Sequence, residues 1–497
     1  TVGAANDAIA RRGARLVTRA ACALVLALGS FGCAVGSRYH RPATQVTPTF
    51  RGQDRAEAAS FADLPWWEAF GDEPLAALIN EALANSYDLA DAVARVDAAR
   101  EDLHASTDAL LPTIGINGGP SYQQVFSGLS LALPTTPGGP SVPSGNFRFA
   151  SYTAQATLSW EVDLWGRLRR LREAARADFF ASEDNRRGVI VSLIGTIGAD
   201  YFTLLSLDAQ LEVARRTVVS RRETLDLFAQ REVGGVGDRL QTASQEALLA
   251  NAAATIPSLE RQIVAVENEL SILVGRPPGP IRRGANLMTR PLPAHLPAGA
   301  PSTLLERRPD VRQAEARVIS ANALAGAAFA QLFPQVSVSA NGGVASASLS
   351  DLFTSGAITY GVALLVGWVA PLLGGAALAH RYRGEEALWR ATVADYRRAV
   401  LVALSETSTA IVSVDKLRDV RAQLELAVRA QAESVDVAKV RYTNGVASYL
   451  DVVQAQQTLF PAELQLAQTV GDQFVATTQL YRALGGGWET SEPSTKR

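Results

Sequence analysis

The residues of this chain that could carry out chemistry are few and lie far apart. Its histidines are His40, His104, His295 and His380. No two of them stand at a spacing that suits a shared metal ion. Carboxylate pairs such as Glu161 with Asp163 occur, but solvated faces of secondary structure explain them better than acid–base catalysis. We therefore expect no catalytic constellation, no metal site and no enzymatic activity.

A glycine-rich segment, Gly234–Gly237, resembles a fragment of a phosphate-binding loop. Such a loop joins a strand to a helix and continues into a lysine. This segment lies between two predicted helices, and no lysine follows it. It therefore predicts the turn of a helical hairpin.

Composition excludes further classes of protein. The chain has 497 residues, of which 47% are hydrophobic and 19% charged, with a net charge of -2. A nucleic-acid-binding protein would carry a concentrated basic excess, so we expect no nucleic-acid partner. The only cysteines, Cys22 and Cys33, lie near the N-terminus. A disulfide framework or four-thiolate metal site in the main body is therefore excluded.

The N-terminus has the pattern of an export signal. Arginines between residues 11 and 19 precede an apolar run over 20–28, and small residues lead to Cys33. The run is shorter than the ~20 apolar residues of a membrane span. Cleavage after residue 32 would expose Cys33 to acylation, for example by palmitate, which anchors a protein at ~0.8 kcal/mol per buried CH2. We predict this covalent lipid and no other cofactor. Ser30 and Phe31 depart from the usual lipoprotein pattern, and an ordinary cleaved signal is the alternative.

Alternating residues predict strands that cross a membrane. From Tyr152 to Asp163 apolar and polar residues alternate, with aromatic residues near both ends, as in strands with a lipid face and a lumen face. No mature segment is an uninterrupted apolar 20-mer, so a crossing needs a closed barrel. The predicted strands are about 113–127, 147–163, 334–349 and 357–369. The last is the weakest, because Val362–Val366 breaks the alternation.

Four strands cannot close a barrel, since the smallest transmembrane barrels have about eight. Several chains must therefore share one barrel. The alternative is a soluble sheet with one wet face.

Long helices are predicted over 167–232 and 374–442, each roughly 100 Å long at 1.5 Å per residue. Ile190, Ile194 and Ile197 begin a heptad seam on the first. Return helices are predicted over 238–275 and 447–484. Pro257 and Pro461 fall inside them, where a proline should bend a helix or cost ~3 kcal/mol. Helices this long fit a rod or a tube.

The strands and helices occur twice. Gly235 and Gly445, in the turns between a long helix and its return helix, lie 445 − 235 = 210 residues apart. The glycines that precede the long helices, Gly166 and Gly374, lie 374 − 166 = 208 residues apart. Such a spacing indicates a duplicated structural half.

Several motifs, in order, resemble those of the TolC-like, NodT-type outer-membrane lipoproteins of resistance-nodulation-division efflux systems. They are Trp66–Phe70, Ser159–Gly166, Leu304–Val311, Arg441–Val446 and Leu484–Trp488. The resemblance covers roughly residues 37–488. It implies a homotrimer in the bacterial outer membrane, with four strands per protomer in a 12-stranded membrane β-barrel. The long helices would form an α-helical barrel, a tunnel that extends into the periplasm.

The resemblance also implies a domain organisation. We expect a signal peptide at 1–32, a lipid-anchored segment and equatorial belt at 33–75, a first repeat at 76–276, an equatorial linker at 277–303, a second repeat at 304–484 and a tail at 485–497.

A gate is implied at the periplasmic end, where the hairpins turn. Tyr442 matches a tyrosine of the family, Arg441 precedes it, and Asp451 matches the first acidic position. Gln454 stands where a second acid would be. Gln241 stands where relatives can carry an aspartate partner for the tyrosine. The ring of fixed charge looks thinner here, so we expect weaker cation trapping and a gate that depends more on hydrogen bonds.

The implied function is a passive exit duct for drugs and other small toxic compounds. A periplasmic adaptor and an inner-membrane proton-driven pump would open it at its tip. The same fold could instead export polypeptides or metal ions. The lipoprotein signal and the Leu304–Val311 motif favour small molecules. The only methionine is Met288, and no segment rich in histidine or methionine suggests a lumen that carries metal ions. A periplasmic coiled-coil scaffold without a pore is the other alternative, and extraction without detergent would distinguish it.

Overall fold

The structure, a computed structural model, describes residues 35–53, 60, 70–126, 146–292, 297–368 and 375–486. Its helices are α1 (Glu73–Asn85), α2 (Tyr87–Asp108), α3 (Arg167–Val233), α4 (Arg239–Val274), α5 (Pro301–Arg307), α6 (Pro309–Ala330), α7 (Ala376–Thr443) and α8 (Tyr449–Ala483). Its strands are β1 (Thr113–Phe126), β2 (Asn146–Val162), β3 (Gln335–Ser346) and β4 (Ile358–Gly367).

The two halves of the chain repeat one order of elements. Each has two helices, a strand pair, a very long helix and a return helix. The long helices α3 and α7 have 67 and 68 residues, and the return helices α4 and α8 have 36 and 35. The predicted internal repeat is confirmed, and the helix pair in front of each strand pair extends it. α2 buries only Ala92 and Val96, so its sequence shows little of the apolar periodicity by which a helix is predicted.

The contacts divide the chain into two compact units. The first contains Thr1–His40, Ala99–Asp178 and Val318–Thr392. The second contains Arg41–Ala98, Phe179–Arg317 and Val393–Arg497. Each unit therefore takes segments from both halves of the chain, and the sequence repeat does not coincide with a compact unit.

The strands of the first unit form one antiparallel sheet in the order β1-β2-β3-β4. The register places Ile116 opposite Ala156, so apolar side chains of neighbouring strands share a face. On that face Ile116 is 88% exposed and Val362 is 78% exposed. An apolar face of this extent is unfavourable in water and suits contact with lipid. It argues against the soluble-sheet alternative.

β4 is a regular strand despite its broken alternation. Leu365 pairs with Ser337, which in turn pairs with Glu161, so Leu365 lies on the polar face of the sheet. The hydrogen-bond ladder to β3 fixes this register. A slip by one residue would turn every side chain of β4 to the opposite face.

In the second unit, α3 is a core helix. Ile194, Ile197 and Tyr201 of the predicted seam are at most 1% exposed. One stretch of α3 is long and apolar enough to cross a membrane, but 61% of it is buried, and a core helix passes the same test. α4 and α8 run without interruption through Pro257 and Pro461.

A buried carboxylate joins α1 to the segment after α4. Asp72 caps α1 by accepting the N–H of Leu75 at 3.1 Å. It accepts the Tyr201 hydroxyl at 3.0 Å and pairs with the Arg290 guanidinium at 2.5 Å. A Cβ on Gly284 would lie 2.4 Å from the Asp72 carboxylate, so only glycine fits there. The side chains of Asp72 and Arg290 are 0% and 6% exposed.

Asp72→Ala should destabilise the protein by about 3–5 kcal/mol, because it leaves the Arg290 charge buried without its partner. Asp91→Ala is the matched control. It breaks an exposed ion pair with Arg95 and should cost far less stability, because solvent screens such a pair. Denaturant unfolding followed by circular dichroism measures both. Equal losses in the two variants would contradict this account of Asp72.

Asp200 on α3 makes stability depend on pH. Its Oδ2 atom has no hydrogen-bond partner among the described residues. Burial, and secondarily the charge of Glu269, raises the pKa of Asp200 to about 6. Between the unfolded pKa of about 4 and this value the folded state binds more protons, so stability falls as pH rises through this window.

Asp200→Asn should remove the loss of stability that the ionisation of Asp200 causes as the pH rises. At pH 7.5 we expect the variant to be more stable than the wild type by about 1 kcal/mol, after allowance for the solvent around the partly exposed carboxyl. Near pH 4 the two proteins should melt together, because Asp200 is then neutral when folded. Thermal melting at both pH values measures this. A difference in melting temperature that is the same at both would refute the assignment.

Candidate functional site at the tips of the two helical hairpins

Both hairpins turn through the same helix-ending motif. Gly235 and Gly445 each have a φ of 73°, a left-handed conformation that favours glycine. The valine after each glycine donates its N–H to the carbonyl of Arg231 or Arg441, at 3.0 and 2.9 Å. This is a Schellman end, which satisfies carbonyls that a helix leaves unpaired. The repeated arginine-to-glycine spacing is therefore a turn signal, as predicted for the glycine-rich segment.

The return helices begin with acidic caps. Asp238 accepts the N–H of Leu240 at 3.2 Å at the start of α4. At the start of α8, the Asp451 carboxylate accepts the backbone N–H of Ser448 at 2.9 Å and its hydroxyl at 3.1 Å. These bonds are part of a capping box in which Ser448 is the N-cap residue. Within the protomer, Asp451 therefore fixes the direction in which α8 leaves the turn.

Three aromatic rings join the hairpins. Phe228 of α3 is 3% exposed, and its ring centroid lies 4.8 Å from that of Tyr449 and 5.7 Å from that of Tyr442. The Arg231 guanidinium lies over the Tyr442 ring, 5.2 Å from its centroid, in a cation–π contact. We call Phe228, Tyr442 and Tyr449 the tip cluster.

Tyr449 also carries the polar link between the hairpins. Its hydroxyl donates to the backbone carbonyl of Gln241 at 3.0 Å and accepts from Nε2 of Gln245 at 2.6 Å. Burial raises the pKa of Tyr449, against the opposing effects of Gln245 and Arg221. The hydroxyl therefore remains protonated and able to donate at neutral pH.

The structure brings together two of the five predicted gate residues. Tyr442 packs in the tip cluster, and Gln241 supplies a carbonyl to it. The tyrosine that bonds Gln241 is Tyr449, however, and not Tyr442. Arg441, Asp451 and Gln454 are exposed and stand outside the cluster. Cys33 lies outside the described residues.

Sequence reasoning missed Phe228, Tyr449 and Gln245. Their signal was weak but present, because Phe228 precedes Gly235 by seven residues and Tyr449 follows Gly445 by four. Both positions lie within two helical turns of a hairpin tip. Only the contact between the hairpins makes them a cluster. Within the described ranges, no group of three or more His, Cys, Asp or Glu side chains could hold a metal ion.

The Leu304–Val311 motif also lies in the second unit, where it holds the start of α6 against α7 and α8. The Arg308 guanidinium binds Asp310 at 2.7 Å, Glu406 of α7 at 2.7 Å and the Ala483 carbonyl of α8 at 3.1 Å. It thereby pairs a carbonyl at the end of α8 and fixes the start of α6. This motif therefore carries no direct information on the cargo.

The sheet with its lipid-type face, together with helices of roughly 100 Å, is typical of outer-membrane channels. The chain belongs to the outer membrane efflux protein family, which matches residues 78–276 and 300–486. This confirms the predicted resemblance, the fold class and the location in the outer membrane.

Relatives and solved structures agree with this assignment. The chain is 30% identical to the pyoverdine export outer membrane protein OpmQ of Pseudomonas aeruginosa, over 96% of this chain and 98% of that protein. It is 30% identical to the solvent efflux pump outer membrane protein SrpC of Pseudomonas putida, over 93% and 97%. The outer-membrane channel OprN superposes with a TM-score of 0.82 at 27% identity, covering 92% and 100%. The protein is an outer-membrane component of an efflux system.

Proposed function

We propose that three copies of this chain close one 12-stranded barrel and form a passive exit duct. The sheet edges carry this proposal. β1 and β4 are the outer strands of the sheet, and in the described part of the protomer neither has a partner on its outer side. Unpaired backbone groups are not tolerated in lipid. Pairing β1 of one copy with β4 of the next satisfies both edges and reaches a strand number known for closed barrels.

The polar face of the sheet supports a duct of low selectivity. Its residues are mostly small and uncharged, such as Thr157, Ser339 and Gly361. Glu161 is the one ionisable residue on this face within the described strands, and Arg167 binds its carboxylate at 2.6 and 2.9 Å. A lining of this kind offers no chemistry and few specific contacts. Cargo choice would then rest with a proton-driven inner-membrane pump and a periplasmic adaptor.

Small toxic organic compounds are the cargo we infer. One relative is named for pyoverdine export and another for solvent efflux. Similar ducts therefore serve different small molecules, in agreement with selection by the pump. No observation on the described residues favours polypeptide or metal cargo.

The gate, in this proposal, is the tip cluster with its bonds to Gln241 and Gln245. It holds one hairpin against the other through two hydrogen bonds, two ring contacts of Phe228 and the cation–π contact of Arg231. Movement of one hairpin must break these few interactions, which an adaptor contact could offset. Arg441, Asp451 and Gln454 lie exposed at the same level and are accessible to neighbouring copies or to the adaptor.

Single-channel conductance of the detergent-purified protein in a planar bilayer tests the duct and the gate together. We expect a small conductance for the wild type and a several-fold larger one for Tyr449→Phe with Tyr442→Phe, because both hydroxyls of the tip are lost. Tyr87→Phe is the matched control, since Tyr87 is 76% exposed on α2. Asp451→Ala should mainly reduce cation selectivity.

Each outcome is informative. Equal conductance in the tip variant and the control would keep the duct and refute the gate. A wild-type protein that stays soluble without detergent and never inserts would refute the duct and favour the scaffold alternative.

We also propose that Cys33 becomes the acylated first residue of the mature protein. The sequence signal alone supports this. Metabolic labelling with palmitate should mark the wild type and Cys22→Ser, because Cys22 lies in the segment that is removed. Cys33→Ser should lose the label. Labelling of Cys33→Ser at the wild-type level would show that the lipid, if any, is attached elsewhere.

A further inference from the structure

A groove between α3, α7 and α8 in the second unit carries an excess of positive charge. It has a volume of about 210 Å³, and its lining includes Arg216, Arg221, Lys439 and Glu463. Arg221 lies 14 residues before Gly235, which places it about 21 Å along α3 from the hairpin turn. The groove nevertheless borders the tip cluster, because Lys439 precedes Tyr442 by only three residues on α7 and the charge of Arg221 acts on Tyr449. None of the residues of the tip cluster lines it.

Arg221 is a buried cation without a counter-charge. It is 6% exposed, and its Nη2 donates to the Gln456 carbonyl at 2.8 Å. Its Nη1 has no hydrogen-bond partner in the described part of the chain, and no described carboxylate pairs with it. Burial lowers the pKa of Arg221. A buried charge without a partner is costly, in contrast to Arg290, which Asp72 neutralises.

The other charges of the groove do not compensate Arg221. Arg216 pairs with Glu463 at 2.9 Å, and that carboxylate is 20% exposed. Lys439 is half-buried and forms no hydrogen bond or ion pair with a described residue. Three cations therefore share one carboxylate. The hydroxyls of Thr217 and Ser220 also line the groove.

We propose that this groove binds a carboxylate, supplied by an aspartate or glutamate side chain of a protein that docks along the helices. The proposal rests on the proposed function, which requires such a periplasmic partner. The groove is smaller than the roughly 300–1,000 Å³ of pockets for small molecules, but it has room for one acidic side chain. Guanidinium and ammonium groups make strong charge-assisted hydrogen bonds to a carboxylate, and complementary charge sets the register of docking.

A fluorescein-labelled hexaglutamate peptide is the probe, with the detergent-purified full chain and fluorescence anisotropy as the readout. We expect binding to the wild type, a loss of at least tenfold in affinity for Lys439→Glu, and a smaller loss for Lys439→Met. Arg222→Glu is the matched control, because Arg222 is the exposed neighbour of Arg221 and does not line the groove. Its affinity should stay within twofold of the wild type.

Three results of this measurement would overturn the proposal. The first is the absence of peptide binding to the wild type, and the second is an equal loss of affinity in Lys439→Glu and Arg222→Glu. The third is binding of free N-acetylglutamate as tight as that of the peptide, because the source would then be a free anion and not a docked protein. Size-exclusion profiles that match the wild type show that the variants fold.

The drug resistance of cells that produce each variant is a second test of the proposal. Lys439→Glu should lower resistance at least fourfold and Arg222→Glu should not, whereas equal resistance in both would overturn the docking role. The wild-type conductance is measured separately. A wild type that binds the peptide without conducting refutes the duct alone, and one that conducts without binding the peptide refutes the groove alone.

Discussion

The constraint on which the rest of this protein depends is the satisfaction of backbone polar groups in lipid. Four strands give a sheet with two open edges, and lipid offers no water to pair them. The apolar face of this sheet is suited to lipid, so the edges must be closed by further strands. The proposed barrel of three copies would meet this requirement and would be wide enough for cargo.

The buried charges of the second unit show two different uses of ionic groups. Asp72 and Arg290 neutralise each other, and the Asp72 carboxylate also accepts from the Tyr201 hydroxyl and the α1 backbone. Such a network fixes one arrangement of the chain. Arg221 has no counter-charge and lies beside a groove with two other cations. The charges of the first arrangement are balanced within the protomer, whereas the proposed docking of a carboxylate would balance those of the second.

The hairpin tips combine interactions within each hairpin with a few contacts between the two hairpins. The two Schellman turns and the acidic caps are bonded within single hairpins, so they persist when the hairpins move apart. At the tips, the link between the hairpins consists of the tip cluster, the cation–π contact of Arg231 and the bonds of the Tyr449 hydroxyl. Few interactions and partial exposure give a low local stability. If the tips are the gate, as proposed, the gate can open without unfolding the helices that carry it.

The sequence by itself determined the local features of this protein. These features depend on residues close in the chain. Patterns of period 2 and 3.6 reveal the strands and the long helices. Glycines reveal the turns at Gly235 and Gly445. The family motifs added the fold class and the position of the tips.

Tertiary structure decided what depends on distant contacts. The register of β4 comes from its ladder to β3, because its own alternation is broken. The role of Arg308 comes from Glu406 and the Ala483 carbonyl, which lie far along the chain. Tyr449, and not Tyr442, bonds to Gln241 because the packing of two hairpins brings it there. Side-chain partners across such separations leave no periodic signal in the sequence, which is the physical reason that the fold was predictable and the details of the site were not.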